Sequence, residues 1–244
     1  MSISRMSAAL LYFAFVPALY AQAPIPVVSI IPNGDFSLGN TGFTSSYLYQ
    51  NPGATSPNTV FEQCTYTIAP NLMSPIPLHP SPGLPNFYDH TTGDITGNFM
   101  VINGSTTANK TFYSTSLAVE PNSTYQFSVW FTVWNDSSNN LPKLQIDFNG
   151  ITSMIAVPTL PLGTWSNFTT TWFSGANTSV TIKLQDNVLD YGGNDFGMDD
   201  ISFGLINAAV PEPGTLALMG SALAGTGGYW FIKRRRRKAA AARK

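Results

Sequence analysis

Residues 125–134 read YQFSVWFTVW, and this stretch decides the fold of the chain. Its apolar residues recur at every second position from Tyr125 to Val133. A period of two places these side chains on one face of an extended strand, because successive side chains of a strand point to opposite faces. The stretch is therefore predicted to be a β-strand with one face in a hydrophobic core.

Similar alternation recurs along the chain in short segments separated by clusters of Asn, Gly, Pro and Ser. Nothing between residues 24 and 209 shows a helical period with capping residues. Regularly spaced short strands without helices predict an all-β fold, an antiparallel β-sandwich. Further strands are predicted at 33–37, 99–103, 111–119, 144–148, 164–173, 180–184 and 196–203.

The segment 50–97 differs from the rest, because eight prolines lie between Pro52 and Pro85. Proline has no N–H to donate to a central β-ladder. We therefore expect 50–97 to form long, extended, proline-rich loops over one end or face of the sandwich.

The second face of the 125–134 strand mixes polar residues with two tryptophans, and Gln126, Trp130 and Trp134 stand out on it. An indole has a large apolar face and one N–H donor, so with neighbouring amides and hydroxyls it suits a sugar ring. These three residues are the candidate sugar-binding residues. The alternative is that the indoles pack beneath the proline-rich loops as core.

Charge is distributed unevenly along the chain. Residues 24–209 contain three lysines and 12 acidic residues, a net charge of about −9. Such a domain lacks the basic surface that phosphate contacts require, so nucleic acid is excluded as a partner. The single cysteine, Cys64, allows no intrachain disulfide.

Catalytic patterns are absent from the sequence. The chain has two histidines, His79 and His90, and no Gly-x-Ser-x-Gly motif, which argues against a serine hydrolase. His90 follows Asp89 in a predicted loop, where we expect it to form hydrogen bonds rather than act as a catalyst. Glu62 and Glu120 are the two glutamates of the domain. We therefore predict that the protein is not an enzyme, and no catalytic residue is assigned.

The N-terminus has the order of a secretory signal peptide. Arg5 precedes an apolar run at 8–16, and Pro17 and small residues follow. Residues 1–23 are predicted to be a signal helix removed by signal peptidase, with cleavage after Ala21 or Ala23. The domain 24–205 then follows as an exported β-sandwich.

The C-terminus has three parts. A linker at 206–213 ends in Val210, Pro211, Glu212 and Pro213. Residues 214–232 carry no charge and as a helix would measure about 28 Å, enough to cross a bilayer core. The tail 233–244 opens with cations that hold it in the cytoplasm, namely Lys233, Arg234, Arg235, Arg236, Arg237 and Lys238.

This layout resembles the PEP-CTERM sorting signal of bacteria that make extracellular polysaccharide. The resemblance implies a single-pass precursor in the inner membrane. It also implies processing by a membrane-embedded exosortase and a final location at the cell surface or outside the cell. A plain membrane anchor is the alternative. The signal states where the protein goes and not what it does.

The domain has a second resemblance, carried by NGDF at 33–36, YDHTTG at 88–93, MVING at 100–104, PNSTYQFS at 121–128 and GNDFGMDDISF at 193–203. These pieces look like galactose-binding-like jelly-roll domains of bacterial surface proteins and carbohydrate-binding modules. In such folds the opening and closing strands meet and share a structural Ca²⁺, which implies Asp35 with Asp199 or Asp200 as ligands. Ser37 stands where related motifs place Glu.

The residues themselves also suit calcium, which binds carboxylate and carbonyl oxygens. Alternation along a strand points Asp199 and Asp200 to opposite faces, so one of them at most is expected to share a site with Asp35. The alternative is that these carboxylates cap turns.

Two functional hypotheses follow. The first is a surface module that binds extracellular polysaccharide without catalysis, as in a biofilm matrix. The second is a structural or adhesion protein of the cell surface that binds no sugar.

Overall fold

The structure is a computed structural model, and it describes residues 27–52, 60, 62–73, 78–79, 86–135, 140–188 and 192–206. The predicted signal peptide, residues 207–213 of the predicted linker, the predicted membrane helix and the basic tail lie outside these ranges. No helix long and apolar enough to cross a membrane occurs in the part of the chain that the structure describes. Val27–Asn207 forms a compact unit by itself.

The described chain contains ten strands and no helix, which confirms the predicted all-β class. They form a six-stranded sheet in the order β1-β2-β3-β10-β5-β8 and a four-stranded sheet in the order β4-β9-β6-β7. The strands are β1 (Leu48–Tyr49), β2 (Thr65–Ala69), β3 (Phe99–Asn103), β4 (Lys110–Ala118), β5 (Thr124–Asn135), β6 (Leu144–Phe148), β7 (Ile151–Ile155), β8 (Ser166–Phe173), β9 (Ser179–Asp186) and β10 (Asp195–Leu205).

The main core lies between the two sheets, as the alternation in β5 predicts. Phe127 and Val129 on β5 are fully buried, and so is Ile182 on β9. The ring of Phe127 meets Phe148 of β6 edge to face, with centroids 5.8 Å apart. Burying one such side chain stabilises the fold by about 1.5–3 kcal/mol. The fold is thus a β-sandwich of the jelly-roll type.

The prediction that all of 50–97 forms loops is wrong, because β2 lies in this segment. All five residues of β2 are buried, and the strand pairs with β3 along its whole length. Residues 58–69 contain no proline, so every N–H of the strand is available for pairing. Tyr66 and Ile68 face the main core.

The predicted strand at 33–37 also needs correction. Residues 33–37 form a turn, in which Asn33 and Phe36 have φ values of 54° and 52°. This turn packs on β10, since Ile201 N–H donates to the Gly34 carbonyl at 2.9 Å. A Cβ at Gly34 would lie 2.0 Å from the Ile201 carbonyl oxygen, so only glycine allows this approach. The opening and closing segments therefore meet, although the first is not a strand. The sequence patterns also did not predict the strands β1 and β7.

A second apolar cluster covers part of the outer face of the six-stranded sheet, the face turned away from the four-stranded sheet. Phe99, Val101 and Trp134 contribute from the sheet, and Leu72 and Leu78 contribute from the proline-rich segment. Leu78 N–H donates to the Leu72 carbonyl at 2.9 Å. The remainder of this outer face carries mainly polar side chains, together with Trp130 and the exposed Phe173.

Candidate functional site

A bulge in β10 shapes the polar part of the outer face. In β10, Asp199 lies opposite Trp130 of β5, and the register shifts before Ser202 lies opposite Ser128. Asp200 has a φ of 46°, in the left-handed region that non-glycine residues rarely adopt. The bulge breaks the strict alternation of the strand, so both aspartates reach the same loop, and the expectation that they point to opposite faces is wrong.

Asp199 fastens the 88–93 loop to the sheet. Its carboxylate is fully buried and accepts hydrogen bonds from the N–H groups of His90 at 2.7 Å and Thr91 at 3.2 Å. It also accepts one from the N–H of Asp200 at 2.8 Å. Burial and the neighbouring Asp200 carboxylate outweigh these donors and raise the pKa of Asp199 to about 7.

The loop has its own internal anchor in Asp89, which is also buried. Its carboxylate accepts from Thr92 N–H at 2.7 Å and from the Thr92 hydroxyl at 2.9 Å. A Cβ at Gly97 would lie 2.1 Å from the Asp89 carboxylate, so a side chain at Gly97 would displace this anchor. The loop is thus held in place by two aspartates, Asp199 on β10 and Asp89 within the loop itself.

His90 joins the loop to the outer face. Its imidazole stacks on the Trp130 indole, with centroids 3.8 Å apart and planes 18° apart. Its Nδ1 lies 2.6 Å from the Asp200 carboxylate, and the His90 and Asp200 side chains are each 28% exposed. Trp165 meets His90 edge to face at 5.9 Å and donates its indole N–H to the Tyr88 carbonyl at 3.0 Å. The result is a half-exposed aromatic and carboxylate cluster.

A strip of uncharged polar side chains continues from this cluster along β5 and β8. Cross-strand partners share a face, so these side chains all lie on the outer face. Asn167 donates its amide N–H to the Ser128 hydroxyl at 2.9 Å, and Thr169 donates to the Asn167 amide oxygen at 2.6 Å. We call this surface the Trp130 face, and it consists of Gln126, Ser128 and Trp130 on β5 with their partners Thr171, Thr169 and Asn167 on β8.

Cations are absent from the described part of this face. Lys110 and Lys183 lie in strands of the four-stranded sheet, and Lys143 directly precedes β6 of the same sheet. The ionisable groups beside Trp130 are instead Asp199, Asp200 and His90. The Trp130 face therefore suits a polar ligand without negative charge.

The three predicted sugar-binding residues have different positions. Gln126 and Trp130 are half-buried on the outer face, so they are available to a ligand. Trp134 is fully buried beneath the proline-rich segment, and its indole N–H donates to the Phe196 carbonyl at 2.8 Å. The candidate role of Trp134 in sugar binding is therefore wrong, and the alternative of a core position beneath the proline-rich segment holds for this indole.

The three predicted calcium ligands are not gathered around one point in the described chain. Asp35 accepts from the N–H and hydroxyl of Ser37 at 3.2 and 2.9 Å. The Asp199 carboxylate is engaged by the 88–93 loop, and an ion would have to displace those donors. The described residues form no group of three or more His, Cys, Asp or Glu that could hold a metal ion. Calcium remains a prediction.

Sequence patterns did not assign His90, Asn167 or Thr169 to the site. The signal for the last two was present, because Asn167, Thr169 and Thr171 share one face of β8 while Phe168 and Trp172 lie on the other. The role of His90 depends on a contact between segments that are distant in sequence, so no local pattern indicates it.

Residues 209–237 match the family model described as the PEP-CTERM protein-sorting motif, which confirms the predicted sorting signal. The fold and this match together define a class: the chain is an exported protein with a jelly-roll β-sandwich. The comparison with curated protein sequences found no match.

Several solved structures are similar to this chain. One is TmCBM61 in complex with beta-1,4-galactotriose, 12% identical, with 73% of this chain and 99% of that chain covered and a TM-score of 0.43. Another is the CBM22-1 xylan-binding domain of Paenibacillus barcinonensis Xyn10C, 18% identical, with coverages of 53% and 85% and a TM-score of 0.32. A third is Family 16 Carbohydrate Binding Module-2, 13% identical, with coverages of 71% and 97% and a TM-score of 0.37.

Proposed function

We propose that the exported domain binds an uncharged carbohydrate on the Trp130 face, without catalysis. The observation that carries this proposal is the stack of His90 on Trp130 at one end of a strip of amides and hydroxyls. A sugar presents hydroxyls around its ring and an apolar surface of C–H groups. The strip can exchange hydrogen bonds with the hydroxyls, and the aromatic cluster can contact the apolar surface.

The arrangement of carboxylates supports a binding role over a catalytic one. Asp199 is buried and engaged by three backbone N–H groups, and Asp200 is paired with His90 and accepts from the Thr91 hydroxyl at 2.7 Å. Glycoside hydrolysis needs an acid and a second carboxylate on opposite sides of the scissile bond. Both aspartates instead hold the loop that supports Trp130, which suits a rigid binding surface.

For the sorting of the protein, we propose a path in three steps. Signal peptidase removes the N-terminal signal by cleavage after Ala21 or Ala23, the segment 214–232 holds the precursor in the inner membrane, and exosortase acts at Val210–Pro213. The released domain then reaches the cell surface or the surrounding matrix, where extracellular polysaccharide is its partner. The match to the sorting motif supports the exosortase step.

A glycan array probed with the exported domain tests the proposed binding. We expect signals on neutral polysaccharides such as galactans, xylans or glucans, and none on polymers of uronic acids. Replacement of Thr169 by Ala should weaken the signals, while Ser116→Ala on the four-stranded sheet provides a matched control. An array without any signal would favour the second hypothesis, a structural or adhesion domain that binds no sugar.

Calcium can be tested separately from sugar. If Asp35 and one of Asp199 and Asp200 share an ion, the folded state gains about 2.7 kcal/mol at a calcium concentration one hundred times the dissociation constant. The melting temperature would then fall on chelation and recover with added calcium. An unchanged melting temperature would reject a stabilising site.

A further inference from the structure

The strand β7 forms one edge of the four-stranded sheet, and in the described chain it pairs with β6 alone. The two strands are joined by Asn149 and Gly150, both with positive φ, as in a two-residue hairpin. In such a hairpin Ile151, Ser153 and Ile155 exchange hydrogen bonds with β6. Thr152 and Met154 therefore direct their backbone N–H and C=O groups away from the sheet.

The opposite edge of the same sheet is covered. Thr44 and Ser114 of β4 exchange backbone hydrogen bonds of 2.9 and 2.8 Å, and Ser46 N–H donates to the Thr111 carbonyl at 2.9 Å. Exposed edges are usually protected by lysine, proline or a bulge. The sequence of β7, ITSMI, contains neither residue, and its pairing with β6 has no register shift.

Apolar side chains are exposed along this unprotected edge. Ile151 is 67% exposed and Met154 is 59% exposed. Ile151 lies opposite the buried Phe148, so it projects from the core side of the sheet and is nevertheless uncovered. At the other end of the strand, Ile155 belongs to the main core. The core of the sandwich thus ends at β7 with an uncovered apolar side chain.

We propose that β7 pairs antiparallel with β7 of a second copy of this chain, centred on Ser153. In this register Thr152 of each copy lies opposite Met154 of the other, and these two pairs use the free backbone groups of both edges. Ile151 of each copy then lies opposite the core residue Ile155 of the other. The two four-stranded sheets become one eight-stranded sheet.

The side chains of β7 favour a second copy of this chain as the partner that pairs with the free edge. The strand is apolar at both ends, so it is complementary to itself when reversed. It carries no charge, so two copies meet there without like-charge repulsion, although the domain as a whole is acidic. A contact this small is weak in solution and is strengthened where many copies share one surface.

A disulfide tests the register. The Ser153 residues of the two copies form a non-hydrogen-bonded pair, in which the Cα atoms are about 4.5 Å apart. That separation lies within the range of about 4.4–6.8 Å that a disulfide spans. The full-length exported chain carrying Cys64→Ser and Ser153→Cys should therefore form a disulfide-linked dimer at the cell surface. A matched control is Ser116→Cys in the same background, because Ser116 is exposed on β4, at the opposite edge of the same sheet.

The expected result is a dimer with Ser153→Cys that is absent with Ser116→Cys and lost when Met154→Pro is added. Proline at this position removes an outward N–H only, so the hairpin is retained. For wild type, sedimentation at increasing concentration should show a monomer–dimer equilibrium that Met154→Pro abolishes. Equal dimers from both cysteine variants, cross-links only to a different protein, or a wild-type chain that stays monomeric would overturn the proposal.

Discussion

The His90 imidazole lies almost parallel to the Trp130 indole, at a centroid separation of 3.8 Å. One indole face is therefore covered by the protein itself, and the loop that covers it is held by two buried aspartates, Asp89 and Asp199. A ligand at this site meets an aromatic group whose position is already fixed. Such pre-organisation reduces the entropy lost on binding.

The two tryptophans of the outer face should differ in their effect on stability. Trp134→Ala removes a fully buried indole that is hydrogen-bonded to Phe196, so we expect a loss of about 3–5 kcal/mol in the free energy of unfolding. Trp130→Ala removes a half-buried indole and should cost less. Urea denaturation of both variants measures the difference. Equal losses in the free energy of unfolding would contradict the different burial of the two indoles.

The strand β2 should contribute to stability although it lies in the proline-rich segment. Ile68→Ala empties a buried position of the main core, and we expect a loss of about 2–5 kcal/mol. Leu48→Ala, at a position that is 64% exposed, is the control and should change stability little. If Ile68→Ala were as mild as the control, β2 would not be part of the core.

Stability should fall as the pH rises from about 4 to about 7. Asp199 has a pKa of about 7 in the folded state and an ordinary value of 3.8, and the pKa of Asp195 is also raised by burial, to about 6. Between these values the folded state binds more protons than the unfolded state, so a stabilising contribution present at low pH is lost as the pH rises through 7.

Melting temperatures across this pH range measure the effect. Asp199→Asn should reduce the pH dependence of the melting temperature. Asp94→Asn, at an exposed carboxylate directly after the 88–93 loop, should not reduce it. A wild-type melting temperature that increases from pH 4 to pH 7 would contradict the assignment of a raised pKa to Asp199.

The sorting motif should control processing. Pro211→Ala combined with Pro213→Ala should leave the full-length chain in the inner membrane, while the wild type appears shortened at the cell surface. Pro142→Ala with Pro158→Ala is a control outside the motif. Fractionation followed by mass spectrometry measures both outcomes, and identical masses and fractions for wild type and motif variant would indicate a plain anchor.

Much of the fold follows from local sequence. The alternation in β5 predicts its buried face, because the period of side chains in a strand is fixed by backbone geometry. The strand β2 was not predicted, because the surrounding prolines dominate the composition of 50–97. Residues 58–69 themselves lack proline. For 33–37 the sequence indicated a strand, but contact with Ile201 selects a turn.

The candidate site was less predictable than the fold. The polar face of β5 was visible in the alternation, but burial of Trp134 depends on Leu72 and Leu78, which lie far away in sequence. The positive φ of Asp200 directs the side chains of both aspartates toward the 88–93 loop. Nothing in residues 199–200 themselves indicates this bulge. Sequence thus located the strand of the site and missed the loop that completes it.

Affinity electrophoresis of the exported domain in gels containing neutral polysaccharide is the most direct test of the central claim. Wild type should be retarded in at least one neutral gel, and Trp130→Ala should migrate as in a gel without polysaccharide while it keeps a folded-state melting transition. Met154→Ala, an exposed apolar position on the other sheet, should be retarded like wild type. Retention of Trp130→Ala equal to that of wild type, or no retardation of wild type in any gel, would contradict carbohydrate binding at the Trp130 face.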